Sequence, residues 1–165
     1  MPSLSAKRLR FWLPLAVVVV LDIVSKAWAE RALDLHVPVE VIGDFARWNL
    51  VYNEGAAFGT HLGDWSRVIF TVLAALVLVF LGRIYKETAA DDRQRLLALG
   101  LVCGGAVGNL VDRIRHGLGV VDFIDIGVGS IRFWTFNVAD SAVTIGAILL
   151  AWSLWREPEP QAERS

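Results

Sequence analysis

The sequence has few of the residues from which most hydrolytic and redox sites are built. Cys103 is the single cysteine among 165 residues, so neither an intrachain disulfide nor a cysteine-based zinc cluster can form within it. The three histidines, His36, His61 and His116, lie far apart without His-Glu-x-x-His spacing, and no Gly-x-Ser-x-Gly motif occurs. We therefore expect no metal and no cofactor, and zinc hydrolysis and serine-triad chemistry are disfavoured.

Charge is scarce as well. Asp, Glu, Lys and Arg make up 20% of the residues and the net charge is -1, so no basic field attracts nucleic acid. Hydrophobic residues make up 55% of the chain and the mean hydropathy is +0.52, which is too apolar for a soluble domain of this size. The composition predicts a membrane protein without a nucleic-acid partner.

Four apolar runs have the length that a helix needs to cross a bilayer. The predicted helices are at about 11–29, 68–85, 96–111 and 138–155, with outer loops at 30–67 and 112–137. The third run is short, so we expect its polar end near a thinned interface or beneath protein. Short strands are predicted in the outer loops, at 37–42, 48–52 and 120–126. The fold class is thus a membrane all-α bundle of four transmembrane helices.

The first apolar run follows a basic segment, a pattern that is also typical of a secretory signal peptide. Ala27-Trp28-Ala29 even provides a small-x-small cleavage site. Asp22 and Lys26 lie in the would-be cleavage region, however, and three apolar runs follow. We interpret the run as a retained helix.

Asp22 and Lys26 are four residues apart with the acid first, so on a helix they share one face and can pair. We interpret them as a structural ion pair. A proton relay at Asp22 or a general base at Lys26 stays open as the functional alternative.

Basic residues predict the orientation. Nine of the sixteen lie in the N-terminus, the 82–95 connection and the C-terminal residues 156–165, which makes these segments cytoplasmic by the positive-inside rule. The tail at 158–165 has a composition typical of disorder. Both long loops then lie on the outer side of the membrane.

Glycines and acids mark the stretch from Gly100 to Asp140. Gly100, Gly104 and Gly108 recur every four residues and Asp112 continues the row, which predicts a face packed against a neighbouring helix. Asp112, Asp122, Asp125 and Asp140 crowd the junction between two apolar segments, where ionised groups are costly unless they are paired, solvated or used.

Two carboxylates that share a proton can act as acid and base on water and an amide. Spacing alone does not say which two of the four acids meet, although glycines around Asp122 could fold that loop toward Asp140. Asn137 is a predicted N-cap with Asp140 in the first turn, which also explains Asp140 without any catalytic role.

Five blocks of the sequence together resemble the signature of the bacterial lipoprotein signal peptidase (signal peptidase II) family. They occur in the family's order from the first helix to the fourth. The blocks are Leu21-Asp22-x-x-x-Lys26, Tyr52-Asn53-x-Gly55-Ala56-Ala57-Phe58, Gly104-Gly105-x-x-Gly108-Asn109-x-x-Asp112-Arg113, Val121-Asp122-Phe123-Ile124 and Phe136-Asn137-x-Ala139-Asp140-Ser141.

This resemblance implies an aspartic endopeptidase of the inner membrane, one domain over residues 1–157, with a small extracytoplasmic β-rich platform. It implies a monomer, surrounded by membrane phospholipid, that cuts lipid-modified prolipoproteins before the diacylglyceryl cysteine. Asp122 and Asp140 match the family's catalytic dyad. The residues matching substrate-binding or supporting positions are Asn53, Gly55, Asn109, Arg113, Asn137 and Ala139, and those matching a polar shell are Asp22, Lys26 and Asp112.

Three other functions stay open at this point. Asp22, Lys26 and Asp112 could form a proton or ion path, in a dimer of four-helix chains. Proteolysis could use Ser141 as nucleophile with Lys26 as its base. A non-enzymatic scaffold would leave the outer carboxylates as solvated loop charges.

Overall fold

The computed structural model describes residues 4–53, 65–115 and 117–155, in which four long helices carry a small antiparallel sheet. The helices are α1 (Leu4–Ala32), α2 (Ser66–Glu87), α3 (Arg93–Arg115) and α4 (Val138–Trp155), and the strands are β1 (Val39–Ile42), β2 (Ala46–Asn53), β3 (Val120–Val128) and β4 (Ile131–Arg132). All four helices are long and apolar enough to cross a membrane. The predicted fold class is confirmed.

The predicted ends of three helices were wrong, since α1, α2 and α3 all extend beyond the apolar runs. The difference is largest for α1, which has 29 residues. The 23 residues of α3 exceed the short third span that was predicted. Asp112 therefore lies on a helix and not in the outer loop. The helix continues through these polar residues because their side chains find partners inside the bundle, such as the Lys26 ammonium 2.8 Å from Asp112 Oδ2. The tail predicted to be disordered lies outside the described residues.

The central helix is α3, which packs against α1 on one side and α4 on the other. The glycine row packs against a neighbouring helix, as predicted; that helix is α1, and each glycine leaves room for its atoms. An added Cβ would lie 2.6 Å from the Phe11 carbonyl oxygen at Gly100, 2.9 Å from Val18 Cβ at Gly104 and 2.5 Å from Asp22 Oδ2 at Gly108. The close approach brings the polar side chains of α1 and α3 together.

A different glycine, Gly105, faces α4, and its replacement tests this packing. An added Cβ would collide with the Ala139 carbonyl oxygen and lie 2.7 Å from Val143 Cγ2. We expect Gly105→Ala to lower the free energy of unfolding, because overpacking typically costs about 1–3 kcal/mol.

Gly82 on α2 provides the matched control, since no described atom lies within 4 Å of its added Cβ. Gly82→Ala is expected to stabilise the protein slightly, because alanine is favoured over glycine in a helix by about 1 kcal/mol. Thermal unfolding of both variants in one detergent makes the comparison. Equal unfolding temperatures would show that α3 and α4 are not closely packed at Gly105.

The sheet rests on the last turns of α1. Its strand order is β1-β2-β3-β4 with antiparallel neighbours, so the two central strands are β2 and β3. Ala29 of α1 is fully buried against Leu50, Val121 and Phe123. Trp28 adds an edge-to-face contact with Trp48, with ring centroids 5.4 Å apart. The three predicted strands are confirmed, with ends shifted by a few residues.

Candidate active site

Strand alternation directs one face of β2 and β3 into a cavity of about 530 Å³. Val51 is opposite Asp122 in the register, Asn53 is opposite Val120, and all four residues line the cavity. Val121, between them, faces the opposite side and is fully buried in the core. The pleat thereby separates the candidate site residues from those that anchor the sheet.

The segment after β4 forms the opposite wall and returns the chain to β3. Ile124 and Phe136 exchange two backbone hydrogen bonds, with N–O distances of 2.8 and 3.0 Å. This pairing sets Asn137 and the start of α4 beside Asp122. This apolar wall consists of Phe133, Trp134, Thr135 and Phe136. It was not predicted as part of the site, although the aromatic residues in this part of the sequence are a usable signal.

Asn137 joins the two acids. Its Nδ2 donates to Asp122 Oδ1 at 2.6 Å, while its Oδ1 accepts from the Asp140 N–H at 2.9 Å. In return, the Asn137 N–H donates to Asp140 Oδ2 at 3.2 Å. The reciprocal bonds cap α4, as predicted, and leave the Asn137 amide group free to hold Asp122.

Two further amides complete the hydrogen bonding of these carboxylates. Asn53 Nδ2 donates to Asp122 Oδ2 at 3.1 Å, and Asn109 Nδ2 donates to Asp140 Oδ1 at 2.7 Å. Each of the four carboxylate oxygens thus accepts a hydrogen bond from a neutral donor. Both acids line the same cavity.

The surroundings of Asp122 favour its protonated form. Its side chain is 2% exposed, and this burial, followed by the negative charge of Asp140, raises its pKa from 3.8 to about 7. The amide hydrogen bonds and the charge of Lys26 lower the pKa by a smaller amount. Below about pH 7 Asp122 is therefore mostly protonated, and a protonated carboxyl group is what a general acid requires.

Asp125 is as buried as Asp122 but has the opposite environment. Arg132 Nε donates to its Oδ1 at 2.7 Å, and Arg47 Nη2 donates to its Oδ2 at 2.9 Å. Burial alone would raise the pKa of Asp125, yet these hydrogen bonds and charges bring it below the usual value. The acid stays ionised and holds β2, β3 and β4 together, so its role is structural.

Asp22, Lys26 and Asp112 lie beneath the carboxylate pair, in the bundle. The predicted pair of Asp22 and Lys26 is confirmed, with 2.7 Å between Oδ2 and Nζ and both side chains buried. Lys26 and Asp112 line a separate cavity of about 180 Å³. These contacts tie α1 firmly into the bundle, which supports a retained first helix.

Arg113 reaches the large cavity from the last turns of α3. Its Nη1 donates to the Asn109 carbonyl oxygen at 3.1 Å. The structure thus brings together six of the predicted site residues: Asn53, Asn109, Arg113, Asp122, Asn137 and Asp140. Ala139 lies behind them and donates its N–H to Asp22, and Gly55 lies outside the described residues.

The pairing of Ser141 with Lys26 does not form. The Ser141 hydroxyl donates to the Asn137 carbonyl oxygen at 3.1 Å, whereas Lys26 contacts carboxylates and Asn109. The described residues that line the large cavity include neither Ser141 nor Lys26.

The fold and this site define a polytopic membrane protein in which two acids line one cavity. Comparison with known proteins makes the assignment specific: the family model described as signal peptidase (SPase) II matches residues 15–156. The chain belongs to the signal peptidase II family, and the resemblance of its sequence blocks is confirmed.

Relatives and solved structures agree with this family. The lipoprotein signal peptidase of Pseudomonas fluorescens is 43% identical over 88% of this chain and 87% of its own. That of Xanthomonas euvesicatoria pv. vesicatoria is 44% identical over 85% of this chain and 83% of its own. Two solved bacterial membrane enzymes superpose on this chain with TM-scores of 0.79 and 0.78, at 30% and 32% sequence identity. The superpositions cover 93% and 88% of this chain, and 92% of each enzyme's own chain. The protein is a peptidase and a multi-pass bacterial membrane protein, and ion conduction is not favoured.

Proposed function

We propose that the protein is an aspartic endopeptidase that removes the signal peptide of prolipoproteins by cutting before the diacylglyceryl-modified cysteine. The observation that carries the proposal is the pair of Asp122 and Asp140, both bound by Asn137 and both lining one cavity. Family membership and the names of the relatives support the substrate class.

In the proposed reaction, Asp140 begins as the carboxylate and Asp122 holds the proton. Asp140 takes a proton from water as the water oxygen bonds to the scissile carbonyl carbon, and Asp122 gives its proton to the carbonyl oxygen. Asp140 then protonates the leaving nitrogen, the C–N bond breaks, and Asp122 recovers a proton from the diol. Both acids return to their starting states, so no other proton carrier is needed.

Arg113 and Asn53 are proposed to position the substrate. Both line the cavity beside the pair, and both are already held by contacts to the site, Arg113 through the Asn109 carbonyl and Asn53 through Asp122. Amide and guanidinium groups are hydrogen-bond donors, which is the type of group that binds peptide carbonyls. The apolar wall that begins at Phe133 is proposed to contact the apolar part of the precursor.

Activity is expected to fall as the pH rises through about 7. The pKa of Asp122 is about 7, so below that value the pair keeps its proton and above it the general acid is lost. Measurement of kcat from pH 5 to pH 9 in one detergent checks this, with unfolding temperatures recorded at each pH. A kcat that stays constant across the range, in folded protein, would contradict a shared proton.

The same shift has a consequence for stability. Asp122 has a higher pKa in the folded protein than its ordinary 3.8, so the folded state binds more protons between these values. Its contribution to stability is therefore greatest at low pH and decreases as the pH rises toward about 7. A decrease in kcat at a pH where the unfolding temperature is unchanged shows that the general acid, and not the fold, has been lost.

We further propose that both termini are cytoplasmic and that the site faces outward. Lys7 Nζ donates to the Lys86 carbonyl oxygen and Arg10 Nη1 to that of Ala90, so the N-terminus and the α2–α3 connection share one end of the bundle. Both segments are basic, which favours the cytoplasm. The sheet and the carboxylate pair lie at the other end of α1 and α3. Phospholipid is proposed to cover the exposed apolar helix surfaces of a monomeric domain over residues 1–157.

Mass spectrometry of the reaction products tests the cleavage site. A purified precursor carrying the diacylglyceryl group is expected to give two products, a free signal peptide and a protein whose N-terminal residue is the modified cysteine. Cleavage at other bonds, or no cleavage by folded enzyme, would contradict the proposed specificity.

A further inference from the structure

The ammonium group of Lys26 is buried, with 3% of the residue exposed, and makes three polar contacts. Its Nζ lies 2.7 Å from Asp22 Oδ2 and 2.8 Å from Asp112 Oδ2, and it donates to Asn109 Oδ1 at 3.0 Å. The ammonium is thus paired with two acids and hydrogen-bonded to one amide. One acid would suffice to neutralise Lys26, so the second acid and the amide require another explanation.

Each partner of Lys26 also holds a part of the site. Asp22 Oδ1 accepts from the Ala139 N–H at 2.9 Å, and Asp112 Oδ2 accepts from the Val121 N–H at 3.2 Å. Ala139 directly precedes Asp140, and Val121 directly precedes Asp122. The third partner, Asn109, donates directly to Asp140. Through its three partners, Lys26 is thus connected to the backbone N–H of the residue before each acid and to the side chain of Asp140.

We propose that Lys26 is a positioning residue for the reaction, which fixes the distance between Asp122 and Asp140 by holding the chain beside each of them. The inference rests on the proposed function, since it assigns a role within that carboxylate pair. Lys26 is not among the described residues that line the large cavity, so it acts through Asp22, Asp112 and Asn109. Among the described residues, Lys26 of α1 and Arg113 of α3 interact electrostatically with the pair, and Asp22 and Asp112 contact Lys26.

The two acids differ in a way that allows a matched test. Asp112 uses a single oxygen, Oδ2, for both Lys26 and Val121. Asparagine can keep both contacts through its amide oxygen, so Asp112→Asn removes the charge alone. Asp22 uses Oδ2 for Lys26 and Oδ1 for Ala139. Asparagine has one oxygen, so Asp22→Asn removes the same charge and also breaks one contact.

We expect Asp22→Asn to lower kcat by about 100-fold, the effect of a displacement on the order of 1 Å, with KM nearly unchanged. The kcat of Asp112→Asn is expected to be at least about tenfold higher than that of Asp22→Asn, because the contacts of residue 112 remain. Its activity should also fall at a lower pH than that of the wild type, because a negative charge near Asp122 is gone. Kinetics from pH 5 to pH 9 and unfolding temperatures of both variants provide the readout.

A cation can also be restored chemically. Lys26→Ala leaves a space of the size of propylammonium, and the cavity of about 180 Å³ beside Lys26 provides access for it. Propylammonium is expected to raise the kcat of Lys26→Ala at least about tenfold, whereas propanol is expected to have no effect. Equal rescue by both compounds would show that filling space, and not positioning by a cation, restores the enzyme.

Three results would overturn the proposal: equal kcat losses in folded Asp22→Asn and Asp112→Asn, a change confined to KM, or an Asp112→Asn pH profile identical to that of the wild type. If Asp22→Asn or Lys26→Ala does not fold, the Asp112→Asn profile decides. Asp122→Asn separates the two proposals. If it is active, the proposed function fails; if it is inactive while Asp22→Asn keeps full kcat, only the role of Lys26 fails.

Discussion

Asp122→Asn and Asp140→Asn are each expected to lower the kcat for precursor cleavage by at least about 10³-fold, since general acid–base catalysis contributes about 10²–10⁴-fold. Asparagine at 122 cannot give a proton to the carbonyl oxygen, and asparagine at 140 cannot take one from water. Both side chains keep their shape, and each keeps one oxygen for the amide donors that surround it. The measurement is cleavage of a lipid-modified precursor in detergent by each purified variant.

The double variant provides a second expectation. Because the two acids act as one unit, Asp122→Asn with Asp140→Asn should be no slower than the slower single variant. Unfolding temperatures and a size-exclusion profile like those of the wild type serve as the control for folding. A kcat near that of the wild type for either single variant would show that the pair is wrongly assigned.

Asn137 is expected to give the second large effect. Asn137→Ala removes the 2.6 Å hydrogen bond to Asp122 Oδ1 and the N-cap of α4, in which Asn137 Oδ1 accepts from the Asp140 N–H. The two acids then lose the group they share, and we expect kcat to fall by about 100-fold. Loss of the cap should in addition lower the free energy of unfolding by about 1 kcal/mol.

Asn137→Ser separates these two roles. Serine is a good N-cap, so its unfolding temperature should be close to that of the wild type, but its hydroxyl is too short to replace the amide donor to Asp122. We expect kcat of Asn137→Ser to be as low as that of Asn137→Ala. Recovery of kcat by serine would show that Asn137 acts on activity only by capping α4.

The sequence was most informative where a feature depends on neighbouring residues along one helix. The four-residue spacing of Gly100, Gly104 and Gly108 predicted a helix contact, and the structure has it against α1. The spacing of Asp22 and Lys26 predicted their ion pair for the same reason. The bounds of α4 were predicted correctly because Asn137 and an uninterrupted apolar run mark them.

Features that depend on distant parts of the chain could not be predicted from spacing. The end of α3 was placed too early because the partners of its polar residues belong to α1, as with Asp112 and Lys26. Asp125 could not be set apart from Asp122, since its arginines, Arg47 and Arg132, lie on other strands. The selection of Asp122 and Asp140 among four acids came from the family resemblance, and the structure adds that Asn137 is hydrogen-bonded to both of them.

The position of the apolar wall also depends on distant pairing. Phe136 lies against Ile124 through backbone hydrogen bonds, and no pattern in the local sequence predicts this pairing. A run of aromatic residues ahead of α4 was visible, but an interfacial belt explains such a run equally well. The apolar wall could therefore be identified as part of the site only from the three-dimensional structure.

One assay tests the central claim, that Asp122 and Asp140 cleave lipid-modified precursors, most directly. Wild-type enzyme and Asp122→Asn are each incubated with one prolipoprotein in two forms, with and without the diacylglyceryl group on its cysteine. We predict cleavage in one of the four combinations, wild-type enzyme with the modified precursor. Equal cleavage of both precursor forms, or cleavage of the modified form by Asp122→Asn at the wild-type rate, would contradict the account.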